Sequence, residues 1–128
     1  MTKDYFQQSE EFELIGGYIS PVADGYGKKS LVTAIHRVKM CQFAANYLGW
    51  PMVSTYEAKS GIWIPTRIIL DKHEEKLNDQ DITSKYTNGK PIKVLFLSGA
   101  DLIDSFLVPN LWASDDVLFF ILFYFIFH

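Results

Sequence analysis

At 128 residues, 48% of them hydrophobic and 16% aromatic, the chain is one modest domain at most and holds enough apolar material for a core, which excludes a disordered polymer. The formal net charge of −3 argues against a general nucleic-acid binder, whose footprint is a basic patch, so a bound phosphate would have to be held by local groups. Cys41 is the only cysteine, which rules out an internal disulfide and suits a reducing, intracellular setting, cytoplasmic or nuclear.

Met1 to Glu11 contain no apolar core, so no signal peptide is expected. Thr2 to Gln8 could end a helix, but the piece needs a docking surface, because isolated helices below roughly 12–15 residues are marginal in water. Phe12 to Ile19 reads as a strand ended by Ser20-Pro21. Ala23 to Ser30 is a Gly- and Lys-rich loop that can set backbone amides and ammonium groups around an anion. On composition alone an ordinary solvated loop is the better reading of it.

Leu31 to Leu48 has helical spacing, with Val32, Ile35, Val38 or Lys39, Gln42 and Phe43 falling three or four apart, Ser30 as the candidate N-cap, and Gly49 and Pro51 as stop signals. His36 within it reads as a hydrogen-bonded structural residue on a buried face. Met52 to Glu57 reads as a second strand, followed by the turn Lys59-Ser60-Gly61 and by Trp63. Pro65-Thr66-Arg67 opens a helix that runs to Leu77, proline being tolerated where an N–H would be unpaired anyway. Asn78 to Pro91 is polar and turn-rich, with Asn88-Gly89 at its tip, and predicts an exposed loop.

The apolar run Val94-Leu95-Phe96-Leu97 predicts a strand covered on both faces of a parallel sheet. Gly99 then permits a sharp turn or the close approach of a ligand, Asp101 falls in the first turn of a short helix, and Pro109 ends that helix before Trp112. Open α/β sheets bind ligands at such a strand end, although Gly-Ala-Asp after an apolar strand also occurs without one. Strand, helix, strand, helix, strand is the alternation of a parallel α/β sheet. Val117 to Phe127 is unbroken apolar and aromatic sequence, shorter than the about 20 residues of a transmembrane helix. Uncovered, it would be an aggregation segment. His36, His73, His128 and Cys41 are scattered, so no metal-ligand spacing is present. Gly27-Lys28-Lys29-Ser30 is no Walker loop, because its upstream glycine is misplaced.

Gly99-Ala100-Asp101-Leu102, Ser105-Phe106 and Val108-Pro109-Asn110-Leu111-Trp112 form one colinear pattern with Gly17 to Val22, Asp24, Tyr26, Lys28-Lys29, His36-Arg37-Val38, Thr55, Glu57, Trp63 and Thr66. In that pattern, over residues 2–116, the chain resembles the eukaryotic nicotinamide/nicotinic acid mononucleotide adenylyltransferases, which make NAD from ATP and a pyridine mononucleotide. The resemblance implies a Rossmann-like nucleotidyltransferase α/β fold, a parallel sheet with flanking helices, over residues 1–116, with 117–128 as a tail outside the family pattern. It implies that Lys28 binds substrate phosphate, that Trp112 stacks on the pyridine ring, and that Trp63 forms a second wall, a nicotinamide cation on an indole face being favourable. Thr66 and the backbone at Leu111 would read the pyridine amide. Gly99 and Asp101 would contact adenosine, the carboxylate accepting from ribose hydroxyls. Tyr56 stands where the family usually has Trp.

The family pattern also includes a Gly-Ser-Phe-Asn-Pro…His loop and a later Ile-Ser-Ser-Thr…Arg segment, both of which hold the ATP phosphates. Neither occurs here. The expectation is therefore an incomplete fold, truncated at both ends, with the first strand and the C-terminal part missing. The chain would be an enzyme by family, with ATP, nicotinamide or nicotinate mononucleotide and ATP-borne magnesium as partners, yet catalytically deficient. The alternative is a non-catalytic form that binds mononucleotide or pairs with full-length subunits as a homo-oligomer. Neither nucleic acid nor a transmembrane span is expected.

Overall fold

The structure, a computed structural model, describes residues 3–4, 8 and 13–117. The apolar run expected at Val117 to Phe127, except Val117 itself, and most of the amino-terminal helical piece lie outside the described residues. The chain divides into two compact units, Met1–Pro65 and Thr66–His128.

The first unit is a strand, helix, strand arrangement. Strand β1 (Gly17–Ile19) pairs in parallel with β2 (Pro51–Val53), in the register Gly17 to Pro51, Tyr18 to Met52 and Ile19 to Val53, and Ser54 N–H extends the ladder to Ile19 O. Parallel neighbours need a crossover, and helix α1 (Ala34–Leu48) supplies it. The α/β class with a parallel sheet holds, consistent with part of a Rossmann-like fold. Both strands are shorter than the sequence predicts: Glu13 to Gly16 lie outside β1, and Tyr56 and Glu57 turn instead into a short helix, α2 (Tyr56–Lys59).

Helix α1 starts later than its periodicity suggests. Ser30 is not its cap: it sits at φ 69, and Thr33 occupies the N-cap position without a side-chain bond. The cap comes from Asp24, whose Oδ1 accepts from Ala34 N–H at 2.7 Å. The C-terminus is as predicted, with Gly49 at φ 72 and its N–H donating to Ala45 O. The buried face differs from the one the apolar spacing suggests. Ala34 and Ala45 are buried, whereas Val32, Ile35 and Phe43 are exposed, as is His36. Small residues carry the helix onto its unit, leaving the large ones outward.

The second unit opens with α3 (Thr66–Leu77), at the predicted boundaries. The expected loop after it contains a helix, α4 (Gln80–Tyr86), capped by Asp79, whose carboxylate accepts from Asp81 N–H at 2.9 Å. Asn88 (φ 53) and Gly89 (φ 79) make the predicted turn beyond it. The predicted strand at Val94 to Leu97 does not form, and Leu97 is 72% exposed. The second unit has no strand among its described residues, so no ladder is offered there, and nearby amides are engaged by side chains of α3 and its C-terminal end. Asn78 clasps Ile92, donating to its O at 2.7 Å and accepting from its N–H at 2.8 Å, while Glu74 Oε2 accepts from Val94 N–H at 3.2 Å. Helix α5 (Ala100–Ser105) follows Gly99 as predicted, but it ends at Ser105, four residues before Pro109. No helix among the described residues is long and apolar enough to cross a membrane.

Candidate functional site

In the first unit the site residues lie on the loops that leave the carboxyl ends of β1 and β2, the end where parallel sheets hold ligands. Arg37 of α1 fixes the β1 loop at three points. Its Nε donates to Val32 O and its two terminal nitrogens to Val22 O and Asp24 Oδ1, at 2.6, 2.6 and 2.8 Å. The guanidinium fork suits this convergence, and the side chain is only 12% exposed. Asp24 opens a single 3-10 turn, Asp24–Tyr26, closed by Gly27 at φ 74. Lys28 follows on the exposed surface, its carbonyl accepting from Leu31 N–H at 3.2 Å. The loop is thus pinned at its base while the ammonium-bearing residue stays in solvent.

The β2 loop meets it through a glycine. A Cβ on Gly25 would lie 3.0 Å from Trp63 N and 3.1 Å from Ile62 Cα, so a side chain there would press the two backbones apart by a few tenths of an ångström. Glu57 is buried in α2, and Ser20 Oγ donates to its Oε2 at 3.4 Å, tying the end of β1 to the segment after β2. Ser60 Oγ lies 2.7 Å from Glu57 O and 2.6 Å from Ile62 O and shapes the turn into Trp63, which is 48% exposed. The structure therefore brings the loop of Lys28 against the residues that lead into Trp63.

In the second unit Thr66 is the first residue of α3 and is half-buried. Gly99 is the extended N-cap residue of α5, and Asp101 is exposed in the first turn. The Asp101 carboxylate folds back over Gly99: a Cβ there would lie 2.6 Å from Oδ1. Leu111 is exposed, and Trp112 returns to the end of α5, its Nε1 donating to Ser105 Oγ at 3.0 Å and its ring meeting Phe106 edge-on at 5.1 Å. Asp101 and Trp112 thus stand on one short scaffold. Chemically these groups offer an ammonium for a phosphate oxygen, indole faces for a flat cation, and a carboxylate that can accept from two hydroxyls.

No family model matches the chain. Among curated proteins it is 36% identical to the bovine nicotinamide/nicotinic acid mononucleotide adenylyltransferase 1, with 91% of this chain and 52% of the relative aligned. It is also 36% identical to the fission-yeast nicotinamide/nicotinic acid mononucleotide adenylyltransferase and 31% identical to the fruit-fly nicotinamide-nucleotide adenylyltransferase, each over 91% of this chain. The aligned residues belong to the nicotinamide/nicotinic acid mononucleotide adenylyltransferase family. The chain spans about half the length of the bovine adenylyltransferase, and 33% and 35% of the fission-yeast and fly ones.

The sequence pattern assigns no role to the residues that hold the candidate site residues of each unit in place. Asp24, Arg37, Glu57 and Ser105 all lie in the family pattern, but their work is to fix other residues, and only coordinates reveal it. The one local signal was chemical: a charged side chain such as Arg37 or Glu57 amid apolar neighbours needs a partner if it is buried.

Proposed function

We propose that the chain serves pyridine dinucleotide synthesis, ATP plus nicotinamide or nicotinate mononucleotide giving NAD or deamido-NAD plus diphosphate. The observation that carries this reading is the Arg37-pinned loop, which presents Lys28 and packs on the residues leading into Trp63 at the carboxyl ends of β1 and β2. A mononucleotide needs one fixed cation for its phosphate and one aromatic face for its ring. In the first unit Lys28 offers the cation and Trp63 an aromatic face; in the second unit Trp112 offers an aromatic face. Thr66 and the Leu111 backbone read the pyridine amide, and Gly99 with Asp101 takes the adenosine ribose.

In the reaction a mononucleotide phosphate oxygen attacks the α-phosphorus of ATP in line, the bond from that phosphorus to the β-phosphate oxygen breaks, and diphosphate leaves. Catalysis is by positioning and charge neutralisation. Magnesium would enter with the ATP substrate and neutralise charge on its phosphates. The 128 residues contain neither of the two segments that the resemblance assigns to the ATP phosphates. As a polypeptide of these residues the chain accordingly binds mononucleotide and turns it over slowly or not at all.

The test is calorimetric titration of the purified chain with each mononucleotide, repeated on Lys28→Ala and Trp112→Ala, beside an assay for NAD with magnesium and ATP. Saturable binding that either variant weakens at least about tenfold, the scale of one charge-assisted contact, supports the assignment. A wild-type chain that binds neither mononucleotide overturns it, and rapid NAD formation overturns the claim of weak turnover.

A further inference from the structure

Trp112 comes back to α5 by a defined route. After Ser105 the backbone runs through successive short turns, Leu107 N–H to Asp104 O, Val108 N–H to Ser105 O and Leu111 N–H to Val108 O. In the last of these, Pro109 and Asn110 are the central residues, and Asn110 stands at φ 60. That is the pattern of a type II turn, with proline at the first central position and a residue tolerant of positive φ at the second. It delivers Trp112 to Ser105, seven residues back.

The bond made there has a fixed sense. An indole N–H can only donate, so Ser105 Oγ accepts from it at 3.0 Å. The serine proton is then free to satisfy Leu102 O, at 2.5 Å. That carbonyl lies in the last turn of α5, and Phe106 N–H, which would reach it in a longer helix, bonds to Ile103 O instead. Phe106 also meets the indole at an interplanar angle of 85°. The two contacts act on different degrees of freedom: the aromatic edge limits the tilt of the indole, while the hydrogen bond selects the ring flip in which Nε1 faces the helix.

We infer that Ser105 is a positioning residue, setting the plane and flip in which Trp112 meets a pyridine ring. The inference rests on the assignment of Trp112 made above. It adds a residue whose hydroxyl need not touch the ligand, and it states what that hydroxyl does.

The experiment uses the full chain with its tryptophans labelled for proton–nitrogen correlation, which gives one indole N–H signal each for Trp50, Trp63 and Trp112, the last identified by its loss in Trp112→Phe. Ser105→Ala should move the Trp112 signal upfield and leave the other two in place. In parallel it should weaken nicotinamide mononucleotide binding about fivefold, the scale of one neutral hydrogen bond. Ser105→Thr, which keeps the hydroxyl, should restore both readings. Should the alanine variant lose a dispersed spectrum, Ser105→Cys, close in size and a weak acceptor, takes its place with the same expectation.

An unmoved Trp112 signal, or a moved signal with unchanged binding, overturns the positioning role. If the wild-type chain binds no mononucleotide, the assignment of Trp112 itself fails and the role falls with it. The indole signal separates that outcome from a missing Ser105 bond.

Discussion

One carboxylate oxygen makes two of the bonds that hold the Lys28 loop to α1. Asp24 Oδ1 accepts from Ala34 N–H and from Arg37 at 2.7 and 2.8 Å, capping the helix and closing a half-exposed ion pair together. A lost cap is worth about 0.5–2 kcal/mol, and an ion pair this open about 0–1 kcal/mol, so the cap is the larger share. Asp24→Ala should therefore cost about 1–2 kcal/mol, read as a lower urea midpoint at unchanged slope. Asp24→Asn keeps an acceptor and should lose less than half of that. Equal losses in the two variants would show that charge, and not capping, is the dominant contribution. Local capping rules miss this residue because it lies ten positions before the helix residue it caps.

At the scale of elements, two positions carry backbone or packing demands that a single substitution exposes. A Cβ at Gly17, at the start of β1, would run into the six-membered ring of Trp50, beside its ladder partner Pro51. Gly17→Ala should cost about 1–3 kcal/mol by overpacking and alter the Trp50 fluorescence. A variant as stable as the parent would show that the ring moves aside freely. Asn110, in the turn before Trp112, has φ 60, where an L-residue without a short polar side chain costs about 1–2 kcal/mol. Asn110→Ala should be destabilised on that scale and Asn110→Gly should not, a contrast that differential melting measures directly.

What was legible at this scale follows from the range of the forces involved. The termini of α1 and α3 that rest on local chemistry, Gly49 and the Pro65-Thr66 start, were readable from sequence. Helix α4 was not, because it is short and polar apart from Ile82 and Tyr86, although Asp79 was a cap in plain view. Val94 to Leu97 failed as a strand for the opposite reason. Its composition favours the extended state, but a strand exists only with a neighbour, and Asn78 and Glu74 take backbone groups at and beside it. The candidate site residues were legible as a pattern, whereas the groups that fix them were not, since their partners sit as far as 37 positions away.

For the molecule as a whole, the buried apolar residues among those described are Ala23, Ala34, Ala45, Ile69 and Ile92, three of them alanines. At about 25 cal/mol per Å² such side chains contribute little. On one face of α1, Met40, Phe43 and Tyr47 are 64%, 75% and 91% exposed and add almost nothing from where they stand. A ligand that binds only the folded chain should then weigh heavily against so small a margin. At a hundredfold excess over its dissociation constant it adds about 2.7 kcal/mol, and in a domain of this size each kcal/mol moves the midpoint by roughly 2–8 °C. Nicotinamide mononucleotide should accordingly raise the melting temperature by roughly 5–20 °C. The riboside, which lacks only the phosphate, should shift it far less at the same concentration, because Lys28 has nothing to hold. Lys28→Ala should make the two ligands nearly equivalent. If the riboside shifts the wild-type midpoint as far as the mononucleotide does, the phosphate is not held by Lys28, and the pinned loop owes its form to folding alone.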